Sequence, residues 1–119
     1  MSDQSDIRGV VNRFIEVFTT NNPSTAPLAH DVVYRGPLMP EPLCGETAVR
    51  QHLAEIAPFV ARLQVKRMVV EGDSAAVIFE FEGLNGVVIE GAEFFRISEG
   101  LICEDQIFFD TRPLIQGRA

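Results

Sequence analysis

Hydrophobic residues recur every three to four positions in the first half of the chain, which is the period of a helix with one buried face. They predict helices over residues 5–20 and 46–57, and a short helix over residues 24–30. Asp3 or Ser5 is available to cap the first helix. The first stripe consists of Ile7, Val10, Val11, Phe14 and Phe18, and the stripe of the third helix of Val49, His52, Leu53 and Ile56.

After residue 59 the period changes to two, which is typical of strands with one face toward a core. Strands are predicted over residues 61–70, 74–82, 87–97 and 101–110. Short turns that contain glycine join them, so neighbouring strands are expected to be antiparallel. An earlier strand over residues 31–38 ends where Pro37, Pro40 and Pro42 remove the donors that a sheet needs.

Helices followed by strands predict the α+β class, with helices packed on one face of a curved antiparallel sheet. The 119 residues suit a single domain, 1–119. Curved sheets that fold over helices often leave a cavity at the open end. The only tyrosine, Tyr34, precedes the proline-rich loop, and we expect that loop to form the lip of a pocket.

Composition and charge narrow the set of partners. Hydrophobic residues make up 46% of the chain and charged residues 23%, the balance of a soluble globular protein. Apolar runs are far shorter than the ~20 residues of a membrane span, and no targeting signal is recognisable. The formal net charge of −7 argues against nucleic acid and anionic membranes. Cys44 and Cys103 fit no metal or redox motif, so we expect reduced thiols and a cytoplasmic location.

Alternation divides each strand into two faces but leaves open which face is inside. In one interpretation the phenylalanine face is the core and the acidic face meets water, as is usual in antiparallel sheets. In the other, a second subunit covers the phenylalanine face and the acidic face lines a cavity. The residues at issue are Phe79, Phe81, Phe94 and Phe108 on one side, and Glu80, Glu82 and Glu93 on the other.

Three segments carry a resemblance to a known superfamily. They are H-D-V-V-Y-R-G-P-L-M-P-E-P-L-C-G-E-T-A-V-R (30–50), E-G-D (71–73) and F-F-R-I-S-E-G-L-I-C-E-D-Q-I-F-F-D (94–110). The chain resembles the nuclear-transport-factor-2-like, or cystatin-like, fold, and within it the SnoaL-like polyketide cyclases, limonene-epoxide hydrolases and ketosteroid isomerases. The resemblance implies a cone-shaped, curved antiparallel sheet wrapped around three N-terminal helices, and a homodimer formed through the outer face of the sheet.

The resemblance also favours the second interpretation of the faces. It implies that Tyr34, Glu80, Glu82, Glu93 and Asp105 point into the cavity. The catalytic patterns of the two best-defined enzyme groups are incomplete, however. Phe14 and Gly36 stand at the phenol and the carboxylate base of the isomerases. Gly36, Glu80, Glu82 and Ile107 stand at the asparagine, arginine and two aspartates of the hydrolases.

Two functions therefore remain open. The first is an enzyme that acts on a small, mostly apolar molecule by acid–base chemistry without a cofactor, as an isomerase, cyclase or epoxide hydrolase. Its catalytic residues would be Glu93, Asp105 and Tyr34, and no metal site is expected. The second is a non-catalytic protein that binds a small ligand or serves as a dimeric accessory. The candidate ligand-binding residues are His52, Glu80, Glu82, Phe14, Leu38, Phe95 and Ile107.

Overall fold

Two helices pack against one face of a curved, six-stranded sheet in the computed structural model, which describes residues 4–116 and the side chains of residues 6–114. The cap predicted at Asp3 or Ser5 lies outside the described side chains. The helices are α1 (Gln4–Thr20), α2 (Glu46–Ile56) and a short α3 (Arg112–Gln116). The strands are β1 (Leu28–Arg35), β2 (Leu43–Cys44), β3 (Val60–Glu71), β4 (Ser74–Gly83), β5 (Val88–Ser98) and β6 (Leu101–Phe109).

The strand order in the sheet is β2-β1-β6-β5-β4-β3. Strands β3 to β6 form the predicted antiparallel meander, because connections of two to four residues cannot reach a parallel neighbour. After the chain has passed through α2 and the first three strands of the meander, β6 comes to lie beside β1 and pairs with it in parallel. The predicted α+β class and the helices over residues 5–20 and 46–57 are confirmed.

The short helix predicted over residues 24–30 is wrong. Only a 3-10 turn forms there, Pro23–Thr25, with the Ser24 N–H donating to Asn22 Oδ1 at 3.2 Å. Strand β1 already begins at Leu28, because the edge of β6 offers backbone partners: the Ile102 N–H donates to the Pro27 carbonyl at 2.8 Å. Tertiary pairing here overrides local helical preference.

The core lies between the helices and the inner face of the sheet. The predicted stripe of α1 is buried at Ile7, Val10, Val11 and Phe14, and α2 buries Val49 and Leu53. These side chains meet the inner residues of β1, β4, β5 and β6 in one continuous cluster. Burial of large aliphatic and aromatic side chains stabilises the fold by about 1.5–3 kcal/mol each.

Cross-strand register shows that neither interpretation of the faces holds as a whole. Val77 of β4 pairs with Glu93 of β5, so Phe79, two residues further on, shares the face of Glu93. Phe79 and Phe81 therefore point inward, whereas Phe94 and Phe108 lie on the outer face and are 39% and 52% exposed.

The prediction that Glu80 and Glu82 point into the cavity is also wrong. Both carboxylates lie on the outer face and form ion pairs with side chains of β3. Arg62 approaches Glu80 to 3.6 Å and Glu82 to 3.5 Å, and Lys66 approaches Glu80 to 3.3 Å. The alternation of phenylalanine and glutamate in β4 gave no sign of which side would be inside. The register with β5 decides it.

Candidate functional site

A cavity of about 330 Å³ opens between the two long helices, the inner face of the sheet and the loop after β1. Its position agrees with the loop predicted as a pocket lip, since Gly36, Pro37, Leu38 and Met39 form part of the wall. The helices contribute Phe14, Ile15, Phe18 and Ile56, and the turn before β3 contributes Phe59. The sheet contributes Val60, Leu63, Val65, Val77, Phe79, Phe81, Ile107 and Phe109.

Three polar side chains, Tyr34, His52 and Glu93, complete the described lining of this apolar cavity. Each comes from a different element, β1, α2 and β5 respectively. Tyr34 follows the alternation of β1, whose inner residues include Val32. His52 lies on the same side of α2 as Val49 and Leu53. Glu93 occupies a buried position on the inner side of β5, where the other buried residues are apolar.

Asp105 lies directly behind Glu93. In the sheet, Asp105 of β6 pairs with Phe95 on one side and with Tyr34 on the other, and Glu93 pairs with Ile107. Glu93 is 7% exposed and Asp105 only 1%, so Glu93 alone of the two can be reached from the cavity. The two carboxyls are close enough that each changes the pKa of the other.

The carboxyl pair has little support from other groups. Glu93 Oε2, Asp105 Oδ1 and Asp105 Oδ2 are buried and accept no hydrogen bond from an N–H or hydroxyl group of the described residues. No lysine, arginine or histidine forms an ion pair with either carboxyl within residues 6–114. Two ionised carboxylates in such surroundings would be very unfavourable.

One shared proton satisfies this arrangement. Burial raises the pKa of Asp105 well above its ordinary value, and the neighbouring Glu93 raises it further. Burial also raises the pKa of Glu93, while the hydrogen bond with Asp105 opposes that rise. The two carboxyls therefore share one proton at a pH at which ordinary carboxyls have lost theirs. The pair behaves as one titrating unit.

The rings of Tyr34 and His52 lie side by side in the cavity wall, with their centroids 5.2 Å apart. Burial raises the pKa of Tyr34 well above its ordinary value, and the neighbouring Glu93 and Asp105 raise it further, so the phenol remains a hydrogen-bond donor. Burial lowers the pKa of His52, partly offset by Glu55, so its imidazole is neutral near pH 7.

The structure thus brings most of the predicted site residues together. Tyr34, His52, Glu93, Phe14, Leu38 and Ile107 all line the cavity. Phe95 does not, because it is fully buried behind Phe14 with the ring centroids 5.2 Å apart. Asp105 contributes through Glu93 rather than from the wall, and Glu80 and Glu82 lie on the outer face of the sheet.

Several wall residues were not predicted from the sequence, among them Phe59, Leu63, Val65 and Phe109. Leu63 and Val65 alternate with polar neighbours, so the period of β3 identifies an inner face. Their place in the cavity depends on how far the sheet curls over α1, which the period does not reveal.

Within the described residues, no group of three or more histidine, cysteine, aspartate or glutamate side chains has a geometry that could hold a metal ion. None of the helices between residues 4 and 116 is long and apolar enough to cross a membrane.

Comparisons with known proteins place the chain among others with this fold. A family model described as a SnoaL-like domain matches residues 11–105. Among curated proteins, no sequence matches the chain.

Similar solved structures share the fold over nearly the whole chain. A nuclear-transport-factor-2-like protein of unknown function from Cytophaga hutchinsonii is 24% identical, with 97% of this chain and 99% of that chain covered and a TM-score of 0.81. An LEH-like epoxide hydrolase from M. tuberculosis is 18% identical, with 95% and 89% covered and a TM-score of 0.80. A steroid delta-isomerase from Pseudomonas aeruginosa is 17% identical, with 97% and 91% covered and a TM-score of 0.79. At these identities the likeness shows the fold alone.

Proposed function

The chain belongs to the SnoaL-like domain family, and on that premise we propose that it is a cofactor-independent enzyme that transfers protons on a small, mostly apolar molecule. Isomerisation, cyclisation, dehydration and epoxide opening are the reactions of this class. The observation that carries the proposal is the buried, unpartnered carboxyl pair of Glu93 and Asp105 at a mostly apolar cavity. Burying polar groups without partners costs several kcal/mol, which a passive cavity does not require.

Each polar group has a distinct role in this proposal. Glu93 is the group that exchanges a proton with the substrate, because it is the member of the pair that reaches the cavity. Asp105 keeps the proton that the pair shares, while Glu93 takes a second proton from the substrate and returns it in a later step. Tyr34 donates a hydrogen bond to a substrate oxygen on which negative charge develops. General acid–base catalysis of this kind contributes about 10²–10⁴-fold.

The size of the cavity limits the substrate. A cavity of about 150 Å³ is sufficient to hold benzene, and this one is about 330 Å³. The enclosed part of the substrate is therefore about the size of two fused rings or a monoterpene. The walls supply shape and apolar contact, and the three polar side chains supply orientation.

A screen of small apolar epoxides and unsaturated ketones tests the proposed activity, with Glu93→Gln as the diagnostic variant. We expect turnover to fall by roughly 100-fold or more in Glu93→Gln, while urea unfolding shows that the variant remains folded. Glu90→Gln is the matched control, because Glu90 lies on the outer face of the same strand and pairs there with Lys66. Equal turnover in wild type and Glu93→Gln would refute the role of Glu93.

One observation favours a second candidate, a binding protein without catalysis. Phe14, Gly36 and Ile107 line the cavity at positions where the resembled enzymes carry catalytic groups. A binding protein would take up naphthalene-sized ligands, detectable by NMR shifts of wall residues. It would do so equally well in wild type and Glu93→Gln, and no member of the substrate panel would be converted.

We also propose that the outer face of the sheet forms a homodimer. Val69, Ile78, Phe94 and Phe108 lie there and are between 39% and 52% exposed. An apolar area of this kind on a β-sheet marks an interaction surface. Phe94→Asp should convert a dimer to a monomer in sedimentation velocity. Leu84→Asp is the control, since Leu84 is exposed on the turn between β4 and β5; a monomeric wild type would refute the proposal.

A cytoplasmic location is proposed on the basis of the cysteines. Cys44 is exposed and Cys103 is partly buried, and both are free thiols. An exposed free thiol persists in a reducing compartment and is oxidised outside it. Fractionation of the source cells, followed by thiol labelling, tests this location. Recovery of the protein in an exported fraction would contradict it.

A further inference from the structure

The cavity is lined by a carboxyl, that of Glu93, which forms no ion pair with a cationic side chain of the described residues. Within the described residues its ionisable lining side chains are Glu93, His52 and Tyr34, with Asp105 behind Glu93. No lysine or arginine belongs to that lining, although Arg62 and Lys66 pair with carboxylates on the outer face of the same sheet. Three carboxyl oxygens of the pair accept no hydrogen bond from an N–H or hydroxyl group there.

We propose that the cavity selects a small lipophilic amine in its ammonium form, with the N–H groups donating to Glu93 and the apolar part packed against the phenylalanine walls. This inference rests on the proposed ligand cavity and narrows its ligand class. It holds whether or not the bound molecule is converted, because it concerns charge and shape rather than the chemical step.

An ammonium ion supplies what the pair lacks. It brings up to three N–H donors and one positive charge to a carboxylate that is nearly buried, and charge-assisted hydrogen bonds of this type are the strong ones. Phe14, Phe79 and Phe81 line the same cavity, and the faces of aromatic rings attract a cation, most strongly where water is excluded. An anionic ligand would meet repulsion from Glu93 and would find no cationic side chain in the described lining.

The preference should depend on pH in a defined direction. Asp105 on β6 and Tyr34 on β1 lie beside Glu93, and His52 on α2, with Glu55 near it, lines the same cavity. Burial raises the pKa of Glu93, so acidification neutralises it at a higher pH than an ordinary glutamate. A primary amine, with a pKa near ~10, stays charged throughout. Amine affinity should therefore fall as the pH falls through the raised pKa of Glu93, and protonation of His52 would add repulsion.

Three ligands of one shape test the inference: 2-naphthylmethylamine, 2-naphthylmethanol and 2-naphthoate. Isothermal titration calorimetry on the full chain at pH 7.5 should give a dissociation constant for the amine roughly 10- to 100-fold lower than for the alcohol. The carboxylate should bind more weakly than either. Glu93→Gln should abolish the preference for the amine, whereas Glu90→Gln, on the outer face of the same strand, should retain it.

The outcomes separate this inference from the proposed cavity. If the alcohol binds as tightly as the amine in wild type, or if the preference survives in Glu93→Gln, the inference is overturned but the ligand cavity stands. If none of the three ligands binds, both fail. Should Glu93→Gln not fold, the wild-type pH profile decides alone: an amine preference that is constant between about pH 4 and pH 8 overturns the inference.

Discussion

Replacing Asp105 with asparagine should make the protein more stable at neutral pH. Asp105 is 1% exposed, and neither of its carboxyl oxygens accepts a hydrogen bond from an N–H or hydroxyl group of the described residues. Asparagine has nearly the same shape but is neutral at every pH, and its amide N–H can donate to Glu93 as the protonated carboxyl does. The substitution therefore removes an ionisable group and keeps the contact.

The size of the effect follows from the displaced pKa. In the unfolded chain the carboxyl ionises near its ordinary value, whereas burial raises its pKa well above that value in the fold. Between the two pKa values folding takes up a proton, so the free energy of unfolding falls as the pH rises. One proton corresponds to a slope of up to ~1.4 kcal/mol per pH unit. Below both values the carboxyl is neutral in both states and the penalty is absent.

His52 changes the free energy of unfolding with pH in the opposite direction, so its contribution must be separated from that of Asp105. Burial lowers the pKa of His52, so below its ordinary value the unfolded chain binds an extra proton and stability falls with falling pH. Both proteins contain His52, so the difference between wild type and Asp105→Asn at each pH cancels its contribution.

Urea unfolding between pH 4.5 and pH 8 measures that difference. We expect Asp105→Asn to be the more stable protein at pH 8 and its advantage to shrink toward pH 4.5. Glu104→Gln is the matched control, because Glu104 is the preceding residue on the outer face, paired with Arg96 at 3.6 Å. An advantage that does not change with pH, or that Glu104→Gln reproduces, would refute the assignment of a raised pKa to Asp105.

Three further substitutions test other parts of the structure. Gly91→Ala would place its Cβ 2.7 Å from the Cζ of Phe79, and should lower the free energy of unfolding by about 1–3 kcal/mol in urea titration; an unchanged value would contradict the packing. Arg50→Ala removes a hydrogen bond of 2.6 Å to the Pro23 carbonyl. It should lower the free energy of unfolding by about 1–3 kcal/mol in the same assay, and Arg50→Lys should lower it less. Tyr34→Phe should lower turnover about 10²–10³-fold without changing the urea midpoint; retained turnover would exclude the phenol as donor.

The helices α1 and α2 and the strands of the meander could be predicted from the sequence because their hydrophobic periods are long and regular. The segment 24–30 could not, because the partner that draws Leu28 into a strand lies in β6, far along the chain. Contacts between distant segments leave no local signal, and they override weak helical preference.

The candidate site was predictable in part for a similar reason. Alternation places Tyr34 and Glu93 each on one face of its strand but leaves open which face is inside, and the resemblance implies that both point into the cavity. In β4, Glu80 alternates with Phe79 and Phe81, and alternation does not show which of the two faces is inside. The pairing of Glu80 with Glu90 shows that Glu80 points outward. The bulge between Arg96 and Ile97 shifts the pairing of β5 with β6, and no periodicity reveals such a shift.

A carboxyl titration by NMR, following Glu93 and Asp105 from pH 3 to pH 9, tests directly whether a proton-sharing pair lies at the cavity. We predict that Asp105 titrates far above the ~4 of an ordinary carboxyl. The resonances of both residues should respond to the same transitions, and Asp105→Asn should simplify the titration of Glu93 to a single step. Two independent titrations near ~4 would show that both carboxyls are solvated, and would contradict the buried pair and the acid–base role proposed for it.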